Sequence, residues 1–294
     1  MPRLPALPVL SDTHASLSET LAVLEQRERL RRRGFLLGSL AGAAAIASAP
    51  LRALATGASL LPPETFGCAL VPTEVLGPFP ADGTTPANNP PNALIQSGIV
   101  RSDIRSSFGA SGTAVASGTL LTMRLRFVST VSGCAPVAGL AIHLWHCDAA
   151  GLYSLYEGVA TTQNYLRGVQ VTDNNGEVTF TTIFPGCYPG RWPHMHFQVF
   201  PSLAAATLGN NAVRVSQLAL PENASAAVYA QTALYPGSAT SLGQVSLETD
   251  IAFQDGSSLQ MADTSGNNAN GYAAVLEVGV AIVGNDVIFT NGFQ

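Results

Sequence analysis

The sequence predicts an all-β protein, with a β-sandwich core, an irregular N-terminal arm and one short helix. Three observations lead to this fold class: only 11% of the 294 residues are charged, Gly and Pro number 28 and 19, and short alternating apolar segments recur between turn residues. Many short strands joined by Gly- and Pro-rich turns are typical of β-sandwiches. A chain of this length can bury one large core. We therefore expect the arm and the sandwich to form a single domain.

Period-two alternation locates the strands. Leu121, Met123, Leu125 and Phe127 alternate with polar residues, which is the pattern of a half-buried strand. The run Asn174-Asn175-Gly176 between two apolar segments predicts a tight hairpin. The predicted strands cover residues 121–127, 137–145, 169–172, 178–183, 194–200, 213–218, 247–253 and 275–283, and the predicted helix covers residues 225–232.

An export signal is predicted over residues 1–55. Arg31-Arg32-Arg33 precedes a Gly- and Ala-rich apolar run, and Ala53-Leu54-Ala55 follows it. This order of basic, apolar and small-residue regions is that of a secretory signal, and the apolar run is too short for a stable membrane span. Arg32-Arg33-x-Phe35-Leu36 is similar to a twin-arginine signal, which favours a periplasmic or extracellular location. The alternative is an amphipathic N-terminal helix.

The remaining residues divide by composition into two parts. Residues 56–118 are rich in Pro, Gly, Asn and Ser and have few periodic segments, so we expect an irregular arm over the core. Residues 119–294 contain the strands and form the predicted sandwich. The formal net charge is −5, yet residues 1–55 hold half of the 14 basic residues and few of the 19 acidic ones. The acidic remainder has no basic face for phosphates, which argues against a nucleic-acid partner.

Two histidines and two tyrosines form a candidate metal site. His194 and His196 lie two apart in a predicted strand, so both imidazoles leave the same face and can bind one metal ion. Tyr188 lies six residues upstream of His194 in a Gly- and Pro-rich turn, and Tyr153 follows the end of another predicted strand. Imidazole suits several transition metals, whereas phenolate is a hard anionic ligand that favours ferric iron. Each signal is weak alone, since a His-x-His pair is more often a packing feature, but together they predict an iron site.

A second pair of histidines competes with this site. His143 and His146 are three apart on a predicted strand and should face opposite sides of the sheet. We interpret His143 as structural and His146 as a core residue or a neighbour of the metal ligands.

The four cysteines of an exported chain suggest two disulfides. Cys134 and Cys147 flank the predicted strand 137–145, which would separate them by about 30 Å, far beyond disulfide reach. Cys147 and Cys187 each lie close in sequence to a candidate tyrosine ligand. The favoured pairs are therefore Cys147–Cys187 and, by elimination, Cys68–Cys134. The alternative is that the cysteines are free buried thiols.

Several segments of the chain resemble the intradiol ring-cleavage dioxygenases. The match runs in order from about Cys68 to Glu222 and is specific over residues 144–199. Its motifs are Leu144-Trp145-His146-Cys147-Asp148-Ala149-Ala150-Gly151-Leu152-Tyr153-Ser154, Leu166-Arg167-Gly168-Val169-Gln170-Val171-Thr172-Asp173, then Gly176 with Phe180-Thr181-Thr182-Ile183-Phe184-Pro185-Gly186, and Tyr188 through Phe197. The resemblance implies a β-sandwich that holds one non-haem ferric ion per chain. Its implied metal ligands are Tyr153, Tyr188, His194 and His196, and its implied catalytic residues are Tyr188, Arg191 and Gln217.

This resemblance also implies a reaction and its partners. The substrates would be a small aromatic diol and O2, and the ring would open between the two hydroxyl-bearing carbons to a muconate-type diacid. Tyr188 would leave the metal and accept a proton, while Arg191 and Gln217 would face the bound diol. The competing hypotheses are an exported binding module for aromatic or carbohydrate ligands without turnover, and a copper or zinc protein. The sequence leaves the oligomeric state open, with a homodimer among the options.

Overall fold

The structure is a computed structural model, and it describes residues 68–84 and 90–282. All of them belong to one compact unit, Thr65–Gln294. The predicted export signal lies outside the described residues, and the division into signal, arm and sandwich stays a prediction. The strands are β1 Leu120–Ser129, β2 Ala141–Trp145, β3 Arg167–Val171, β4 Glu177–Ile183, β5 His194–Phe200, β6 Arg214–Ala219, β7 Asp263–Asn267 and β8 Gly271–Val280, and the helices are α1 Glu222–Tyr229 and α2 Ser238–Leu242.

Two four-stranded sheets form a sandwich, which confirms the predicted fold class. The first sheet has the strand order β4-β1-β8-β7 and the second β3-β2-β5-β6. Strands β1 and β8 pair in parallel, and the other neighbours are antiparallel. The alternating residues Leu121, Met123, Leu125 and Phe127 of β1 are fully buried between the sheets, as their pattern predicted. Among the described residues, no helix is long and apolar enough to cross a membrane.

The second sheet is buried on both faces. Met195, Phe197 and Val199 of β5 point into the core between the sheets, so His194 and His196 point to the outer face. Described residues between 68 and 118 cover that outer face without forming a named strand. Their apolar side chains pack on the sheet in a separate cluster, which includes Ala81, Ala93, Leu94, Ile99, Val169 and Phe200. Side chains on the outer face of β5 are therefore removed from water.

The predicted Asn174-Asn175-Gly176 hairpin is wrong in one respect. The tight turn is present, since Gly176 N–H donates to the carbonyl of Asp173. It joins β3 of one sheet to β4 of the other, however, so the two strands are not partners. The carbonyl of Gly176 accepts the N–H of Phe127, and a Cβ at Gly176 would lie 2.3 Å from the Phe127 oxygen. This close contact with β1 directs the chain into the first sheet.

Other predictions about elements need correction. The predicted strand 247–253 is a series of turns, because the backbone N–H groups of Asp250, Phe253 and Gln254 bond to carbonyls three or four residues earlier. The predicted strand 137–145 is regular only over Ala141–Trp145. The sequence did not predict β7 or α2, since β7 is short, polar and mostly exposed. The predicted helix 225–232 lies at Glu222–Tyr229.

One of the two predicted disulfides is present. Cys68 and Cys134 are bonded, with Cα atoms 5.6 Å apart, and tie the arm to the turn after β1. The Cys147–Cys187 pairing is wrong, because both are free buried thiols. Cys147 Sγ donates to the Gly186 carbonyl at 3.3 Å and Cys187 Sγ to the Arg191 carbonyl at 3.4 Å. Burial raises the pKa of the Cys187 thiol to about 12 and that of Cys147 well above its usual value. Both thiols therefore stay protonated and unreactive.

Candidate metal centre

Three segments of the chain bring the four candidate ligands together. Strand β5 presents His194 and His196, the loop from β4 to β5 presents Tyr188, and the loop after β2 presents Tyr153. The Tyr153 loop is held by Asp148, whose carboxylate accepts the N–H groups of Ala150 and Leu152.

A glycine lets the two tyrosine loops approach each other. Gly151 has φ +83°, and a Cβ at this position would lie 3.1 Å from the Cβ of Tyr188. Only glycine adopts this backbone without strain. The local sequence thus fits the close approach of Tyr153 and Tyr188.

The four donor atoms form one tight cluster. The Tyr153 oxygen lies 3.3 Å from the Tyr188 oxygen, 3.3 Å from His194 Nε2 and 3.2 Å from His196 Nε2. His194 Nε2 lies 3.2 Å from the Tyr188 oxygen and 3.1 Å from His196 Nε2. Donors of a tetrahedral site with bonds of about 2.0 Å are about 3.3 Å apart. The spacing therefore fits a single transition-metal ion held by all four residues.

The chemistry of this donor set also fits a hard, highly charged cation. Burial raises the pKa of Tyr153 and Tyr188 well above the usual value for tyrosine, so both phenols are neutral unless a cation displaces their protons. Burial lowers the pKa of His194 and His196 far below the usual histidine value, which keeps both imidazoles in the neutral form that binds metals. In the described part of the chain, no group of three or more His, Cys, Asp or Glu could hold a metal. The tyrosines are thus essential to this candidate site.

Neighbouring groups orient both histidines. His194 Nδ1 hydrogen-bonds to the Trp192 carbonyl, which leaves Nε2 facing the other donors. The ring of His196 stacks on Trp145, with centroids 5.0 Å apart and planes inclined by 10°. Gly77 of the arm lies against the same imidazole, since a Cβ there would be 3.2 Å from His196 Cε1. Sequence reasoning missed Trp145 and Gly77 as parts of the site.

Arg191 and Gln217 lie together beside the cluster. Arg191 Nη2 donates to Gln217 Oε1 at 2.5 Å, and Gln217 Nε2 donates to the Val75 carbonyl of the arm at 2.7 Å. Arg191 Nε also donates to the buried carboxylate of Asp250 at 2.9 Å. Burial disfavours the charge of Arg191, yet Tyr188 and Asp250 outweigh it and the pKa of the guanidinium is raised. Asp250 was not predicted, because nothing in the sequence distinguishes it from the neighbouring acid Glu248.

The other two histidines of the described residues, His143 and His146, lie apart from the donor cluster. His143 faces the outer side of the second sheet, where its Nδ1 bonds Gln198 Oε1 at 3.1 Å. His146 faces the opposite side and bonds Thr182 Oγ1 of β4 at 2.7 Å through Nε2. Burial lowers the pKa of each to about 4, so both are neutral. Their opposite orientations agree with the prediction, and His146 is a core residue between the sheets.

Comparison with known proteins shows which family the chain resembles. Residues 110–235 match the family model described as Dioxygenase. An intradiol ring-cleavage dioxygenase from Tetranychus urticae has a similar structure, with a TM-score of 0.53 and 24% identity over 72% of this chain and 94% of that chain. The dioxygenase domain of a carbohydrate-binding fusion protein from Streptomyces sp. SirexAA-E is 19% identical over 73% of this chain and 100% of that chain, with a TM-score of 0.45. No curated protein sequence is significantly similar to the chain.

Residues 110–235 therefore resemble the dioxygenase family, and the fold is that of an intradiol ring-cleavage dioxygenase. The solved structure with the higher TM-score shows the shared fold, and the matched segment contains Tyr153, Tyr188, His194, His196, Arg191 and Gln217. Members of this family typically use non-haem ferric iron. The predicted resemblance to this family is therefore confirmed, and the individual roles of the site residues stay predictions.

Proposed function

We propose that the protein is a ferric intradiol dioxygenase that cleaves a catechol-type diol between its two hydroxyl-bearing carbons. The single observation that supports this most is the cluster of two phenol oxygens and two imidazole nitrogens, in which five of the six pairs are 3.1–3.3 Å apart. Ferric iron held by Tyr153, Tyr188, His194 and His196 would make a bound diol electron-rich enough to react with O2. The diol and O2 together contain every atom of the muconate-type diacid, so no external reductant is needed.

Tyr188 is the ligand best placed to move. Its side chain is half-buried and the next two residues, Pro189 and Gly190, are exposed, whereas Tyr153 is 1% exposed and packs on Phe79. A side chain on an exposed turn can rotate without disturbing the core, while Tyr153 cannot. In the proposed reaction, Tyr188 Oη leaves the site and takes one proton from the incoming diol.

Arg191 provides positive charge next to the position of the substrate ring. Burial raises the pKa of Tyr188, and the positive charge of the Arg191 guanidinium partly opposes this rise. Negative charge that develops on the ring during cleavage would be stabilised by this cation. A single well-placed donor or charge of this kind is typically worth about 10²–10³-fold in rate. Gln217 holds Nη2 of Arg191 and is held in turn by the Val75 carbonyl.

The arm encloses one side of the site. Gly77 lies on His196, Phe79 packs on Tyr153 with ring centroids 5.0 Å apart, and the Val75 carbonyl binds Gln217. These contacts exclude water from the donor cluster, which strengthens electrostatic interactions within it. The arm thus forms part of the catalytic site.

Metal analysis and oxygen uptake test this function. The purified iron-loaded protein should contain about one ferric ion per chain, absorb visible light through its phenolates and consume one O2 per catechol. Mass spectrometry with ¹⁸O2 should find both labelled atoms in the acyclic product. A protein that binds iron and catechol with no oxygen uptake would support the binding module instead, and a colourless protein with stoichiometric zinc would exclude the ferric site.

We also propose that the protein acts after export, in the periplasm or outside the cell. The Arg32-Arg33-x-Phe35-Leu36 signal pattern supports this location. The Cys68–Cys134 disulfide is a second, independent support, because disulfides persist mainly in oxidising compartments.

A further inference from the structure

A fully buried carboxylate, that of Asp250, binds the guanidinium of Arg191. Asp250 is 0% exposed and belongs to the turn segment that follows α2. Its Oδ2 accepts Arg191 Nε at 2.9 Å and the backbone N–H of Trp192 at 2.7 Å. Its Oδ1 accepts the N–H of Ala252 at 2.8 Å and is 3.5 Å from Arg191 Nη2. Three protein donors thus satisfy this carboxylate in a fully buried position.

These contacts restrict the guanidinium of Arg191. Nε is bound to Asp250 and Nη2 is bound to Gln217, so the planar group is held at two points on different segments. Gln217 is itself fixed by the Val75 carbonyl. A guanidinium held at two points cannot rotate about its long side chain, and its remaining nitrogen, Nη1, keeps one direction.

The same carboxylate also fixes the start of β5. Trp192 N–H binds Asp250, and the Trp192 carbonyl binds Nδ1 of His194. Asp250 therefore binds the side chain of Arg191 and the backbone of Trp192, which in turn binds the candidate metal ligand His194. A residue 59 positions away in the chain thus connects to the site at two points.

We propose that Asp250 is a positioning residue that orients Arg191 for the reaction. This inference rests on the proposed function, because it assigns to Asp250 an effect on the step in which Arg191 acts. Asp250 does not contact the substrate. It compensates the charge of a buried guanidinium, which would otherwise be pulled towards water, and it keeps that charge at the edge of the donor cluster.

The test compares Asp250→Asn, Arg191→Ala and the double variant in the iron-loaded protein. Asp250→Asn keeps the shape of the side chain and removes its charge, and kcat with catechol should fall by about 10-fold or more while the iron content and KM change little. The double variant should be no slower than Arg191→Ala, because Asn keeps an oxygen that accepts the Trp192 N–H and the lost charge therefore acts through Arg191. Glu277→Gln is the matched control: it removes the carboxylate of another acid–arginine pair, Glu277 with Arg126, which lies on the first sheet. Its kcat should match that of the unmodified protein.

A second readout does not depend on turnover. In protein loaded with diamagnetic Ga³⁺, the Nε–H of Arg191 should give a slowly exchanging ¹⁵N–¹H signal that Arg191→Lys removes and Asp250→Asn shifts or broadens. Unchanged kcat in Asp250→Asn, or losses that add up in the double variant, would overturn the proposal. If the unmodified protein shows no oxygen uptake, the proposed function fails, and the Arg191 signal still decides whether Asp250 holds the guanidinium.

Discussion

Trp145 stacks almost flat on His196, with ring centroids 5.0 Å apart and planes inclined by 10°. The two residues are register partners on β2 and β5, so the antiparallel pairing of the strands itself sets this contact. Trp145 also stacks on His143, with centroids 4.8 Å apart and planes inclined by 23°. The metal-facing imidazole is therefore one layer of a buried aromatic stack.

Shortening Trp145 should weaken the metal site. Trp145→Ala removes the surface that holds the His196 ring, and we expect the affinity for ferric iron to fall by about 10–100-fold. Trp145→Phe retains a flat ring and should stay within a few fold of the unmodified protein. Iron affinity measured by competition with a chelator checks this. Equal affinities of the Ala and Phe variants would show that the stack does not orient the ligand.

Tyr188→Phe should separate metal binding from turnover. The three remaining ligands should still hold iron, with a shifted visible band, whereas ring cleavage should fall by about 10²–10⁴-fold because Oη no longer accepts the proton. Tyr235→Phe is a suitable control, since its hydroxyl binds Thr119 and Phe184 in the core and is remote from the cluster. Oxygen uptake is measured beside the spectrum of the anaerobic catechol complex. Cleavage by Tyr188→Phe at the unmodified rate would contradict its role as base.

Alternation along the sequence was enough to predict much of this arrangement. The period of two in Leu121–Phe127 predicted a strand with one buried face, and the spacing of His194 and His196 predicted that both point to one side. Alternation says which residues share a face but not what covers that face. Burial of both histidines by the arm, through Gly77 and its neighbours, therefore could not be predicted.

Contacts between segments that are distant in the sequence explain the other wrong predictions. Asp250 binds Arg191, which lies 59 residues earlier in the chain. The segment 247–253 that contains Asp250 was predicted as a strand from its apolar residues, but it forms turns. The turn at Asn174-Asn175-Gly176 was predicted as a hairpin because its residues are typical of a tight turn. They do not determine whether the two flanking strands pair with each other. Cys147 and Cys187 lie near each other at the site, but each thiol donates to a different backbone carbonyl, and these hydrogen bonds replace the predicted disulfide.

Removing the Cys68–Cys134 disulfide should lower stability without changing the site. The bond closes a loop with a sequence separation of 66, and Cys68→Ser with Cys134→Ser should lower the free energy of unfolding by about 2–5 kcal/mol. Iron content and the visible spectrum should be retained, because neither cysteine contacts the donor cluster. Chemical denaturation checks the stability, and Cys147→Ser serves as a control in which no crosslink is lost. Equal stability of the double variant and the unmodified protein would contradict the prediction.

The export signal gives a prediction that does not depend on the fold. Arg32→Lys with Arg33→Lys should block export by the twin-arginine route and leave folded, iron-loaded protein in the cytoplasm. Arg3→Lys, which lies outside the pattern, should not affect export. Fractionation of the cells with immunodetection measures the distribution. Normal export of the double variant would indicate the general secretory route.

Glu74 should make the free energy of unfolding depend on pH between about 4.5 and 8, a range in which ordinary carboxyl groups no longer titrate. Burial, together with the negative charges of Asp255 and Asp250, raises its pKa to about 8, although the bond from Gln260 and the charge of Arg191 oppose this. Between its ordinary pKa of 4.5 and about 8, the folded protein holds a proton that the unfolded chain has lost. Its contribution to stability is therefore present at low pH and is lost as the pH rises through this window.

Glu74→Gln tests this dependence because it keeps a neutral side chain at every pH. Its stability relative to the unmodified protein should rise between pH 5 and pH 8, as measured by urea unfolding of both proteins at matched iron content. Asp255→Asn should lower the upper end of the window, since it removes one of the charges that raise the pKa of Glu74. A difference between Glu74→Gln and the unmodified protein that stays constant with pH would show that Glu74 titrates as an ordinary carboxyl, and Gln260 would then bind a carboxylate throughout this range.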